Sequence, residues 1–168
     1  IEWLKKSASE GYALAMYNLG LLFQHEKEDL DTAFSWYQKA AEAGNVDAMN
    51  DLGVLCEKHK SDFEMAFSLY QKAAEAGSSN AMNNLGLLFE NYKNDLDTAF
   101  SWYRKSIESG NPVAMNSIGA FFINEKKDYD AAIEWFNRAA HKGNALAMNN
   151  LGRVYQYAKK DLNQAIEW

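Results

Sequence analysis

The sequence predicts an all-α protein: a solenoid of 33-residue helix-turn-helix repeats. Three observations predict it. Several residue types recur every 33 positions, the self-similarity expected of stacked supersecondary units. Within each copy, apolar residues follow helical periodicity. Helix starts and stops then fall at the ends of those apolar runs.

The ten glycines occupy two columns: Gly11, Gly44, Gly77, Gly110 and Gly143, then Gly20, Gly53, Gly86, Gly119 and Gly152. Trp3, Trp36, Trp102, Trp135 and Trp168 form a third, interrupted only by Leu69. Met16, Met49, Met82, Met115 and Met148 form another, as do Asp29, Asp62, Asp95, Asp128 and Asp161, and Ala33, Ala66, Ala99, Ala132 and Ala165. No insertion separates the copies.

In chain order, residues 1–10 are a partial second helix, four repeats follow at 11–43, 44–76, 77–109 and 110–142, and 143–168 is an incomplete repeat. One repeat domain is expected. In the first helix of the first repeat, Ala15, Leu19, Leu22 and Phe23 share a face; in the second helix, Leu30, Ala33, Phe34, Tyr37, Ala40 and Ala41 do. Each second helix is expected to start at the column Asp, whose carboxylate accepts from orphan N–H groups, with Asp31, Glu64, Asp97 or Asp130 complementing the dipole. It stops at the first glycine column, where a left-handed residue closes the helix. Asn45, Ser78, Asn111 and Asn144 follow as N-caps of the next first helix, and the one proline, Pro112, falls at N1, where its missing N–H costs nothing.

The second glycine column lies inside the first helices, where Gly costs ~1 kcal/mol relative to Ala. Close approach of a neighbouring helix, with no room for a methyl, accounts for it, and Gly86→Ala is expected to destabilise. The Trp column, with Tyr37 and Ala40 beside it, is assigned to the core rather than to a platform for sugars or bases, because aromatics at helical spacing dominate cores.

The net charge of −6 disfavours nucleic acid and anionic membranes, which reward clustered Lys and Arg. A single Cys excludes an intramolecular disulfide framework and a Cys-built zinc site. No apolar run approaches the roughly 18 residues of a membrane span, so membrane insertion is not expected. A soluble, cytoplasmic chain is favoured; because the sequence does not begin with Met, a missing leader leaves export open. The chain starts and stops at equivalent points within second helices, as expected for a segment of a longer array. Otherwise, copies are expected to stack end to end through a heterologous contact. Trp168 is expected to have lost neighbours that Trp135 keeps.

These residues resemble the Sel-one-like repeat, a branch of the tetratricopeptide-like helical solenoids. The family pattern runs A-x-x-x-L-G-x-L, then D, then A-x-x-W-Y-x-K-A-A-x-x-G. Ala81-Met82-Asn83-Asn84-Leu85-Gly86-Leu87-Leu88, Asp95, Ala99 and Trp102-Tyr103-Arg104-Lys105 match it, ending at Gly110, and the first copy reads Trp36-Tyr37-Gln38-Lys39-Ala40-Ala41-Glu42-Ala43-Gly44. The resemblance covers the whole chain. In one respect the sequence departs from it: the family's inter-helix turn is longer and contains glycine, whereas Gln24 to Glu28 contains none. The resemblance implies a right-handed α-α superhelix whose first helices line a concave surface.

On a helical wheel, positions 14, 17, 18, 21, 24 and 25 lie opposite the core stripe. Position 17 reads Tyr17, Asn50, Asn83, Asn116 and Asn149; position 18 reads Asn18, Asp51, Asn84, Ser117 and Asn150. An amide donates to a peptide carbonyl and accepts from a peptide N–H, so two such columns suit an extended chain held by its backbone. The resemblance adds that in related grooves an Asn matching Asn84 contacts peptide backbone. The alternative is that these amides are simply solvated groove residues or bond to the adjacent repeat's helix. Leu21, Val54 and Leu87 add an apolar strip that ends in Ala120 and Arg153, while Glu57 and Glu90 are acidic. Net charge drifts from −3 over residues 11–43 to +1 over 143–168.

The expected function is therefore a non-enzymatic scaffold or adaptor that binds a peptide or protein segment in this groove, with no cofactor, metal or nucleic acid. Alternatives are a helical repeat that binds single-stranded RNA, or a structural or glycan-binding module of an exported protein. His25, His59 and His141 lack metal-ligand spacing, and Cys56 stands in a column otherwise filled by Phe23, Phe89, Phe122 and Tyr155, as a small core residue.

Overall fold

A computed structural model describes residues 2–167; Trp168, and the expectation attached to it, lies outside them. Every regular element among the described residues is helical. The chain gathers into two compact units, Ile1–Leu88 and Phe89–Trp168.

The first unit comprises α1 (Glu2–Ser9), α2 (Ala13–His25), α3 (Leu30–Glu42), α4 (Val46–Leu55), α5 (Phe63–Glu75) and α6 (Ser79–Leu88), and α4 runs on into a π-helical turn, Cys56–Lys60. Each helix packs on the next. The second unit opens with a π-helical turn, Phe89–Lys93, followed by α7 (Leu96–Glu108), α8 (Pro112–Phe121), α9 (Tyr129–His141), α10 (Ala145–Arg153) and α11 (Leu162–Glu167). Further π-helical turns extend α8 (Phe122–Lys126) and α10 (Val154–Lys159).

The expected boundaries are observed because cap chemistry is local. Asp29 and Asp62 accept from the backbone N–H of Thr32 and Met65, both at 3.0 Å. Asp95, Asp128 and Asp161 do the same in the second unit at 3.0–3.2 Å. The Thr32 and Thr98 bonds hold the carboxyls of Asp29 and Asp95 below the usual range. At the other end of α3, Gly44 takes φ 87° and donates to the Ala41 carbonyl, while the Asn45 N–H reaches the Ala40 carbonyl at 2.9 Å. That pairing is a Schellman motif, which needs the left-handed residue Gly supplies without strain. Asn45, Ser78, Asn111 and Asn144 cap α4, α6, α8 and α10 through Ala48, Ala81, Val113 and Ala147. Pro112 begins α8.

The turns inside each repeat differ from any simple cap. Their left-handed residues are Glu28, Ser61, Asn94, Lys127 and Lys160, with φ of 50–56° and no glycine among them. The next N–H then reaches back across the π-helical turn, Asp62 to the Cys56 carbonyl at 3.0 Å and Asp128 to that of Phe122 at 3.0 Å.

At Gly20, Gly53 and Gly119 the second glycine column is explained by one aromatic ring each. A Cβ on Gly53 would lie 2.7 Å from Cε1 of Tyr70, and one on Gly119 would lie 2.6 Å from Cδ1 of Phe136; Gly20 faces Tyr37 in the same way. Tyr37, Tyr70, Tyr103 and Phe136 are all 0% exposed. The assignment of tryptophan to the core holds only in part: Trp36 packs against the buried Ala8, Ala15 and Leu19, but the tryptophans lie at the rim of the core and not inside it. Trp36, Trp102 and Trp135 are only half-buried and Trp3 is 82% exposed. Three residues on, Lys39, Lys105 and Arg138 share the Trp face and cover the rings at 4.5, 4.1 and 4.8 Å from their centroids. A cation therefore covers part of each of these rings. The next residue, turned ~100° about the axis, is the one that enters.

Candidate functional site

The two amide columns lie along α2, α4 and α6 in the first unit and along α8 and α10 in the second, and the structure joins them sideways. The Tyr17 hydroxyl donates to Asp51 Oδ2 at 3.0 Å, Asp51 Oδ1 accepts from Asn50 Nδ2 at 3.0 Å, and Asn50 Oδ1 accepts from Asn84 Nδ2 at 2.9 Å. In the second unit Asn150 Nδ2 donates to Asn116 Oδ1 at 2.9 Å. Each inter-helix link spans 34 residues, one repeat plus one helix position, so column 17 of one first helix meets column 18 of the next. Asn50, Asn83 and Ser117 are buried, with Ser117 Oγ donating to the Val113 carbonyl at 3.3 Å; Asn18, Asp51, Asn84, Asn116 and Asn150 are half-buried and Asn149 is exposed. Burial pushes the Asp51 carboxyl up, against the bonds from Asn50 and Tyr17, and the Tyr17 hydroxyl is raised by burial and then by Asp51.

An amide has two donor and two acceptor positions, so one lateral bond leaves capacity. Among the described residues, Asn84 and Asn150 each keep a carbonyl oxygen and a second N–H that no neighbour engages. Within each unit, the first helices therefore combine lateral amide bonds with unspent backbone-type donors and acceptors.

Leu21, Val54 and Leu87 are half-buried beside the ladder. Glu57 and Glu90 are also half-buried, and each is held: the Tyr70 hydroxyl donates to Glu57 Oε2 at 2.9 Å and the Tyr103 hydroxyl to Glu90 Oε2 at 2.6 Å. In the first repeat Gln24 Oε1 accepts from Tyr37 at 2.6 Å. The fourth repeat loses both partners at once, with Phe136 in the tyrosine column and Ile123 in the acceptor column. That paired replacement was visible in the columns and is the signal that sequence reading passed over. Burial raises the Glu90 carboxyl and the hydroxyls of Tyr37, Tyr70 and Tyr103. Arg153 is exposed.

The remaining reactive side chains are dispersed. Cys56 is buried at 0% exposure and burial raises its thiol, while His141 Nδ1 lies 2.7 Å from the Asn137 carbonyl on its own helix. Among the described residues no group of three or more His, Cys, Asp or Glu side chains could hold a metal ion, and no helix is long and apolar enough to cross a membrane.

Comparison with known proteins follows the same periodicity. The Sel1 repeat family model matches residues 1–12, 13–45, 46–78, 79–111, 113–144 and 145–168. A Sel1 repeat protein from Oxalobacter formigenes is 29% identical with TM-score 0.77, over 99% of this chain and 75% of its own. A protective antigen of uropathogenic Escherichia coli strains, displaying the same fold, is 30% identical with TM-score 0.75 over 92% of this chain. The chain spans only 36% of that antigen's length. An immunity protein from Pseudomonas aeruginosa shares the fold at 21% identity and TM-score 0.68, over 92% of this chain and 61% of its own. No curated protein matches the sequence. Repeats of this kind commonly serve as protein-interaction modules and are typically non-catalytic. With matches along essentially its whole length, the chain belongs to the Sel1 repeat family.

Proposed function

We propose that the chain is a scaffold or adaptor module whose first helices hold an extended peptide or protein segment by its backbone. The observation that carries this reading is the amide ladder, with an unengaged carbonyl and N–H on Asn84 and again on Asn150. A peptide backbone offers one donor and one acceptor per residue, and side-chain amides answer both. Leu21, Val54 and Leu87 line one flank with apolar surface for the segment's side chains. The net charge of −6 argues for a protein partner over nucleic acid.

End-blocked peptides of varied sequence, titrated against wild type, Asn84→Ala and Asn150→Ala, test the reading. Loss of affinity across all peptides alike, with unchanged helicity, is the expected result. Unchanged affinity in both variants would end it.

A further inference from the structure

We propose that the cavity between α8, α9 and α10 is a recognition pocket for a bulky apolar peptide side chain flanked, within the chain, by an aspartate or glutamate. The inference rests on the peptide-groove reading and names the side chains that groove prefers.

Comparing the repeats position by position locates the pocket. In the first three, one column carries Leu21, Val54 and Leu87, a second carries Gln24, Glu57 and Glu90, and a third carries Tyr37, Tyr70 and Tyr103. In the fourth these become Ala120, Ile123 and Phe136. A long aliphatic is shortened to a methyl, and a hydroxyl–acceptor pair is replaced by two apolar groups. All three replacements line one cavity of about 350 Å³, together with Val154. That volume falls within the range of small ligand pockets, which are mostly apolar with a few placed polar groups.

The polar groups are placed at this site too. Asn150 and Arg153 line the same cavity. Asn150 spends one N–H on Asn116 and keeps its carbonyl and other N–H for a peptide backbone. Arg153 is exposed and, among the described residues, makes no ion pair. It stands where the other repeats carry Leu21, Val54, Leu87 and Ala120. A guanidinium on the wall of a cavity that also presents Ala120, Ile123, Phe136 and Val154 is complementary to a carboxylate adjacent to an apolar side chain, and such charge matching sets specificity. Asn124 and Ala158 also line the wall, and the tyrosines Tyr129 and Tyr157 there suit an aliphatic or aromatic occupant.

The probes are acetylated, amidated Ser/Gly peptides whose two central residues are Leu-Glu, Phe-Glu, Leu-Lys, Ala-Glu or Ser-Ser. Binding is followed by NMR at the Ile123 methyl and the Arg153 side chain. Wild type is expected to bind Leu-Glu and Phe-Glu roughly tenfold or more tighter than Ala-Glu and Leu-Lys, a difference of about 1.4 kcal/mol. Ala120→Leu, which installs the residue of Leu21 and Leu87, should bring Leu-Glu down to the level of Ala-Glu. Ala120→Val, after Val54, repeats the test with a smaller fill. Arg153→Gln should abolish the difference between Leu-Glu and Leu-Lys and spare the apolar preference.

Equal binding of all probes, no binding at all, or an apolar preference that survives both Ala120 variants overturns the proposal. A free C-terminal carboxylate bound in preference to internal Glu overturns the assignment of an internal acid. If Asn84→Ala weakens every probe and the Ala120 and Arg153 variants change nothing, the groove stands and this pocket falls. If selectivity follows Ala120 and Arg153 while Asn84→Ala and Asn150→Ala are silent, the pocket stands and the backbone-ladder reading falls.

Discussion

Replacing Gly53 by alanine separates helix propensity from packing. On an isolated helix the change would stabilise by ~1 kcal/mol. In this structure the new Cβ lies 2.7 and 2.9 Å from Cε1 and Cδ1 of Tyr70. Carbon atoms pack best at ~3.5–4.0 Å, so the ring must retreat by roughly 0.8 Å. It has little freedom to do so, being 0% exposed and tied to Glu57 by a 2.9 Å hydrogen bond. Overpacking of this kind costs ~1–3 kcal/mol, and losing the hydroxyl bond costs ~1 kcal/mol more. After the propensity gain of ~1 kcal/mol, the expected net loss is ~1–3 kcal/mol, or about 2–10 °C in melting temperature for a chain of this length. Thermal and urea unfolding followed by circular dichroism read it directly. A Gly53→Ala protein as stable as wild type would refute ring clearance as the reason for the column.

Three further outcomes are expected. Burial raises the folded pKa of Glu90, so its contribution favours the folded state while it is protonated and fades as pH rises through the window above the ordinary carboxylate range. Glu90→Gln keeps an acceptor for Tyr103, as Gln24 does for Tyr37, and should flatten that decline in urea midpoints and leave stability at neutral pH no lower than wild type. The Asp29 and Asp95 caps act in the opposite sense, since their carboxyls are held low and their contribution is lost as pH falls. Lys127→Gly removes a left-handed side chain at φ 55° and should raise the melting temperature, with a gain of up to ~1 kcal/mol; a lower melting temperature would show that the turn tolerates Lys without strain. A double-mutant cycle on Asn50→Ala and Asn84→Ala should give a coupling of ~0.5–1.5 kcal/mol, the net worth of one hydrogen bond, and additivity would show that the 2.9 Å contact does not contribute.

Helix number, order and ends were legible in the residues because each depends on neighbours within one turn. Asp62 accepts from a backbone N–H three residues on, and Gly44 closes a helix by its own φ. A helical wheel sets Asn83 and Asn84 off the stripe of Ala81 and Leu85 without knowledge of any partner, but it does not foresee that Asn83 is buried at 4% exposure. Sequence alone left two roles open for those amides, and the lateral bonds from Asn84 to Asn50 and from Asn150 to Asn116 depend on how far apart adjacent first helices stand.

What the sequence by itself determined is the repeating unit: its length, its two helices, its caps and the face each helix turns inward. Only tertiary structure decided which of two adjacent aromatics is swallowed. Trp36 and Tyr37 are both apolar and both near the core stripe, yet Tyr37 fills the space above Gly20 while Trp36 stays under Lys39. Tertiary structure also decided that Ala120, Ile123 and Phe136 share one cavity. Periodicity assigns each residue an angle on its own helix, whereas a cavity is defined by the distance between helices, which no single helix encodes.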